Sequence, residues 1–190
     1  MSSFRRLIRA ILNQPDIRDP LGIRDRAILE TFYSTGMRRS ELTALDISDL
    51  DSSAGTLHIR KGKGGKSRVV PIGSRSLKWI EAYLVQTRPQ LIVDPGEQAL
   101  YLSGYGERLS ATYVGNWVTR TIKAADIGKR GSCHLFRHSC ATHMLENGAD
   151  IRIIQQLLGH ARLDTTQIYT EVAIKALKET HARTHPTAQD

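Results

Sequence analysis

Cysteine is nearly absent from this chain: Cys133 and Cys140 are the whole complement among 190 residues. Seven positions apart in a segment that reads as helical, they would stand two turns and about 10 Å from each other, beyond the reach of a disulfide. A chain with no bridge to form reads as a reduced, cytoplasmic protein. No CxxC pair occurs. Cys133, His134, His138, Cys140 and His143 are dense enough to raise a zinc-binding module, yet Cys133, Cys140 and His143 do not share a helix face with His134, and metal-ligand spacing is missing. Also missing is any run of 18 apolar residues, so no membrane span is expected. The N-terminal MSSFRRLIRAILNQ is basic, only part apolar and without a small-residue cleavage site, so it does not read as a signal peptide. No internal repeat is present. Acidic side chains are in deficit, 19 against 27 basic ones, for a net charge of +8. That excess fits a nucleic-acid partner without requiring one.

What is present suffices for one domain. Apolar residues at 40% and charged residues at 24% are an ordinary globular balance that can bury a core. Asp19-Pro20 reads as an N-cap and a first helical position, with Ile28, Leu29, Phe32 and Tyr33 following at helical spacing and Gly36 as the stop. A short helix follows near Arg38–Leu45. TLHIR, KGKGGK and SRVVPI then read as strand, glycine-loosened turn and strand, and Leu100–Ser103 is expected to add a third strand. Further helices are expected from Ser74, from Ser110, from about His134 to Glu146, and from Asp150 to Gly159. A last one begins at Asp164 with a capping-box pattern and carries Ile168, Val172 and Leu177. The terminal HARTHPTAQD reads as a low-order tail. The expectation is a mainly α (α+β) domain with a small antiparallel sheet of three strands.

Taken singly, the candidates for chemistry have ordinary explanations. Arg38 follows a helix stop, where an arginine is usually solvated. Lys63 sits in a basic turn that could be a plain hairpin tip. His134 and Arg137, three apart, share a helix face. His160 follows a helix end whose dipole favours a cation. Tyr169 lies beside an apolar seam, where a tyrosine is usually core.

Their joint order is less ordinary. TGMRRSEL, KGKGGKSRVVPI, HLFRH and LLGH occur in succession, and a tyrosine in TTQIYT stands nine residues past the last histidine. In that pattern the chain strongly resembles the tyrosine recombinase (phage integrase) family, Xer-type members most closely, from about Ile23 to His185. The resemblance implies the DNA breaking-rejoining fold, with a catalytic domain over residues 1–180 and a tail over 181–190. Against the family pattern, the N-terminal helical core-binding (SAM-like) domain is expected to be absent from the chain. It implies that Arg38 and Arg137 clamp the scissile phosphate and that Lys63 is the general acid toward the leaving 5′ oxygen. It implies acid/base work for His134, a phosphate hydrogen bond from His160, a nucleophile in Tyr169, and support of the site from Glu41. The implied partners are double-stranded DNA and further subunits, in a homo- or hetero-tetramer on DNA; no cofactor, metal or membrane is implied. The segment after Ala176 would either dock onto a neighbour or pack on its own core. The chain departs from the family pattern at Cys133, where proline is common, at Phe136 in place of leucine, and at Glu171 in place of a frequent histidine.

These residue types suit the chemistry. A phosphodiester is anionic, and its transition state gathers more charge on the nonbridging oxygens. The planar, permanently charged guanidinium answers both with paired hydrogen bonds. A tyrosine of pKa near 10 is ionised about once in a thousand at pH 7, a deficit of roughly 4 kcal/mol that neighbouring cations and a histidine base reduce. A lysine can protonate the leaving alkoxide. A phosphotyrosine link would keep the energy of the broken strand for rejoining, so no metal or nucleotide is required. Two other readings share parts of the pattern. A DNA-binding module without catalysis would have lost one of the six positions, and all six hold the expected type. A type IB topoisomerase uses the same chemistry, but the compact length and the LLGH…TTQIY signature favour a recombinase.

Overall fold

A computed structural model describes residues 3–60, 67–126, 128, 131–159 and 171–188. Helix α1 (Ser3–Leu12) leads into α2 (Pro20–Thr35) and the short α3 (Arg39–Thr43). Three strands follow: β1 (Leu50–Asp51), β2 (Thr56–Ile59) and β3 (Arg68–Pro71). They form one antiparallel sheet in the order β1-β2-β3, with Leu50 opposite Leu57 and Leu57 opposite Val70. The rest is helical: α4 (Ser74–Ala82) runs through a π turn at Tyr83–Thr87 into α5 (Arg88–Leu91). After these come α6 (Ala111–Ala124), α7 (Cys133–Glu146), α8 (Ile151–Leu158) and α9 (Glu171–Thr184), then a 3-10 turn at Pro186–Ala188.

The helix ends are set by local chemistry. The Asp19 carboxylate accepts the Leu21 N–H at 2.8 Å, and Pro20 opens α2. Gly36 closes it at φ 60°, its N–H bonded to the Phe32 carbonyl. Ser110 caps α6 and Asp150 caps α8, and Gly159 ends α8 at φ 64°. Helix α2 is the axis of the core. Every residue from Ala27 to Thr35 is buried, including Glu30, Thr31 and Ser34. Such polar groups are tolerable only when partnered. Glu30 accepts from Arg26 at 2.9 Å and from Arg75 at 3.1 Å, and Thr31 bonds the Ala27 carbonyl. Helices α4 and α7 pack on α2, while α9 lies on β3.

Four features differ from expectation or extend it. The third strand is Leu50–Asp51, upstream of the pair, and Leu100–Ser103 is not part of the sheet. The backbone donors of that segment are taken elsewhere: the Leu100 N–H by the Leu45 carbonyl and the Leu102 N–H by the Tyr83 hydroxyl. The basic N-terminus forms α1, an amphipathic helix that sends Leu7, Ile8, Ile11 and Leu12 into the core. Of the expected low-order tail, residues 181–184 complete α9 and Pro186–Ala188 form a 3-10 turn, and His181, Thr184, His185 and Thr187 are buried. Finally, the segment after Ala176 packs on its own chain, with Leu177 in the core. The expected start of the last helix at Asp164, and Ile168, lie outside the described residues. Among the described residues, no helix is long and apolar enough to cross a membrane.

Candidate active site

The close of α2 begins the site. After Gly36 the chain turns out through buried Met37 to Arg38, which takes the extended N-cap position of α3. The Arg38 N–H donates to Glu41 Oε2 at 2.8 Å and its guanidinium donates to Oε1 at 2.9 Å. Glu41 is 2% exposed and Arg38 29%, so the carboxylate is the buried anchor and the arginine keeps an open side. Burial alone would push the Glu41 carboxyl up. The hydrogen bonds from Arg68 and from the Arg38 backbone, with both guanidinium charges, outweigh it and hold the group below the usual carboxylate value.

Arg137 enters from α7. One of its terminal nitrogens donates to the Gly36 carbonyl at 2.8 Å and the other to the Leu158 carbonyl at 2.7 Å. It therefore joins the C-terminal ends of α2 and α8, where carbonyls without helical partners and the helix dipole both favour a cation. Burial first, and then the charges of Arg38 and Arg68, lower its pKa to about 10, with Glu41 opposing. It remains cationic at neutral pH. The depression is chiefly the cost of burying a cation, with the neighbouring arginines adding to it, a cost that an incoming anion would reduce.

His134 lies one turn before Arg137, exposed on the first turn of α7. The hydroxyl of the N-cap Ser132 accepts the His134 N–H at 3.4 Å and lies 3.5 Å from its Nδ1. Of the sequence-predicted site residues, Arg38, Glu41 and Arg137 come together and His134 stands one helical turn from Arg137. Lys63, His160 and Tyr169 lie outside the described residues. Their neighbours in sequence are Ile59 and Arg68 at the ends of β2 and β3, Gly159 at the cap of α8, and Glu171 at the start of α9.

Sequence reading passed over Arg68, although it stands inside the quoted SRVVPI. It is 4% exposed and gives Glu41 two bonds, at 2.8 and 2.9 Å. Strand alternation carries the signal that could have found it. Two residues before Val70, Arg68 shares the inward face, and a charge in a buried register requires a buried partner. Just past the C-terminal end of β2, Arg60 is held by Asp49 at 2.6 Å, Asp46 at 3.0 Å and Ser48 at 2.9 Å.

The cysteines and histidines of α7 go separate ways. Cys133 and Cys140 are buried free thiols, and burial pushes Cys140 up to about 12. His143 Nδ1 lies 2.7 Å from the Tyr33 hydroxyl. Among the described residues, no group of three histidine, cysteine or acidic side chains is placed to hold a metal ion.

Comparison with known proteins gives consistent matches. The phage integrase family matches residues 5–176. The chain is 51% identical over 179 residues to tyrosine recombinase XerC 2 of Ralstonia nicotianae, covering 94% of this chain and 51% of that protein. The crystal structure of XerA recombinase superposes with a TM-score of 0.71 at 34% identity, over 95% of this chain and 62% of that one. XerH site-specific recombinase bound to difH substrate, in a pre-cleavage complex, matches with a TM-score of 0.69 at 27% identity. That match covers 83% of this chain and 45% of XerH. The chain thus spans about half the length of these recombinases.

Proposed function

The chain belongs to the phage integrase family, and on that premise we propose that it carries out site-specific cleavage and rejoining of DNA strands through a covalent 3′-phosphotyrosine intermediate on Tyr169. The observation that carries the reading is the arginine cluster. Arg38 is held by the buried Glu41 carboxylate and Arg137 by the carbonyls of two helix ends, one of them Gly36, two residues before Arg38, and the Arg38 guanidinium is partly open to an incoming phosphate. An excess of fixed positive charge, aimed where a transition state gathers negative charge, is the largest single contribution most such sites make.

In this reading the two guanidiniums grip the nonbridging oxygens of the scissile phosphate. Tyr169 attacks phosphorus, and its proton passes to a histidine base, for which His134 is the candidate. The P–O5′ bond breaks as Lys63 protonates the leaving oxygen, and His160 donates to a nonbridging oxygen. A free 5′-hydroxyl then attacks the phosphotyrosine, releasing Tyr169 and resealing the strand. Charge neutralisation comes from side chains throughout. The DNA partner is supported by the net charge of +8 and by a structural relative bound to difH substrate. Assembly as a tetramer on two sites is part of the same proposal, as is a cytoplasmic location.

The test starts from a randomised duplex pool, from which the chain selects its binding sequences. Selected duplexes are nicked so that the cleaved product diffuses away, then incubated with the protein in EDTA. A covalent protein–DNA adduct is expected, and none from Tyr169→Phe. Absence of an adduct on every selected duplex, or an adduct that survives Tyr169→Phe, would contradict the reading.

A further inference from the structure

We propose that Arg68 is a positioning residue of the strand-cleavage site, a buried tie that sets Arg38 through Glu41 and fixes the end of α8 to the same point. The proposal rests on the function inferred above. Arg68 opens β3, paired in register with Ile59, and points inward. Its two terminal nitrogens meet the two oxygens of Glu41 side by side, and its Nε–H donates to the Leu157 carbonyl at 3.2 Å.

Counted oxygen by oxygen, Glu41 is shared evenly. Oε1 accepts from Arg68 and from the Arg38 guanidinium; Oε2 accepts from Arg68 and from the Arg38 backbone. The fork of Arg68 therefore fixes the plane of the carboxylate, and that plane fixes both the main chain and the side chain of Arg38. On its other side the guanidinium lies flat against the cap of α8. A Cβ added at Gly159 would come within 3.0 Å of Arg68 Cζ. Gly159 directly precedes His160, and Lys63 stands five residues before Arg68. One side chain thus joins α3, β3 and α8, the three elements that border Arg38, Lys63 and His160 in sequence.

At 4% exposure Arg68 has no open side for a phosphate. Neutralising Glu41 would need only a cation. A buried ion pair is in any case a poor device for stability alone, since well-packed apolar replacements are often as stable. A planar fork with a third bond to a helix end is what geometry, rather than charge, requires.

The test compares Arg68→Lys and Arg68→Met with the unaltered chain on a nicked duplex selected by that chain. Two quantities are read: the dissociation constant, and the single-turnover rate of adduct formation at saturating duplex, well below each variant's Tm. Both variants are expected to bind within about threefold of the unaltered chain and to form adduct about 10- to 100-fold more slowly, the cost of a small misplacement of a reacting group. Should Arg68→Met fail to fold, Arg68→Lys decides alone, because it keeps the charge and loses the fork. An unaltered rate in Arg68→Lys would overturn the proposal, as would a loss confined to the dissociation constant or one that vanishes on cooling. If the unaltered chain forms no adduct, the functional reading itself has failed and this proposal falls with it, a result visible before either variant is measured.

Discussion

Two clusters of buried polar side chains lie one turn apart on α2, and they treat charge in opposite ways. At Gly36 the surroundings give arginines acceptors. Arg38 and Arg68 share Glu41, and Arg137 spans two helix ends. At Tyr33 and Ser34 the surroundings keep histidines neutral. His181 donates to the Ser34 carbonyl at 2.8 Å and His185 to the Tyr33 carbonyl at 3.0 Å. The other nitrogen of His185 accepts the Thr187 N–H at 3.2 Å, which leaves that ring no place for a second proton. The two imidazoles stack 4.6 Å apart. Burial first lowers both: His181 falls to about 4, and His185, with His181 beside it, falls well below its ordinary value. A buried group that can change its charge does so; a buried guanidinium cannot, and must be partnered or matched by an anion. The first cluster is suited to holding a phosphate, the second to holding the C-terminal segment against the core.

The contrast can be broken at several points. The largest effect is expected at Arg137→Lys, which keeps a cation but loses the span between the Gly36 and Leu158 carbonyls. Adduct formation should fall about 100- to 1,000-fold with only a small change in Tm. Adduct kinetics with thermal unfolding check this, and a rate near that of the unaltered chain would remove the arginine cluster from the chemistry.

Acid should strike the second cluster instead. A histidine whose pKa is lower in the folded than in the unfolded state contributes stability fully above about 6.5, and loses it as pH falls toward the folded value. For His181, between 6.5 and about 4, this amounts to about 3 kcal/mol. Urea unfolding at pH 7.5 and 4.5 should show the loss. His181→Gln, which retains an N–H for the Ser34 carbonyl, should show a flatter pH dependence.

A smaller steric effect is expected at Gly73→Ala. The new methyl would stand 2.2 Å from Thr187 Oγ1 and 2.6 Å from the Thr187 carbonyl oxygen. Relief should cost about 1–3 kcal/mol, loosening the C-terminal turn while leaving the adduct rate at saturating DNA unchanged. Tm and limited proteolysis of the C-terminal segment report it. Smallest is Asp150→Ala, which removes the cap of α8 and should lower stability by about 1 kcal/mol in denaturant unfolding.

Much of this molecule is written locally. Asp19, Gly36, Ser110, Asp150 and Gly159 mark helix ends because a cap acts within a few residues. Arg38, Glu41 and Arg137 stand in short motifs, and the fold brings them together. What sequence hid depends on distant partners. Arg68 meets a carboxylate 27 positions away. HARTHP looks solvated until its histidines find the backbone of α2, 147 and 152 positions earlier. The third strand was misplaced because Leu100–Leu102 is as apolar as an edge strand, and only tertiary contacts send its N–H groups to a loop and a tyrosine. Lys63, His160 and Tyr169 are singled out by motif alone and lie outside the described residues.

The most direct measurement identifies the atom that holds the DNA. The adduct trapped on a nicked duplex is digested with nuclease and trypsin, and the peptides are weighed. Trypsin releases Leu163–Lys175, in which Tyr169 is the single tyrosine. The account predicts that this peptide carries the phosphotyrosyl nucleotide, through a bond stable to mild base. A nucleotide on any other peptide, or none on this one despite strand cleavage, would contradict it.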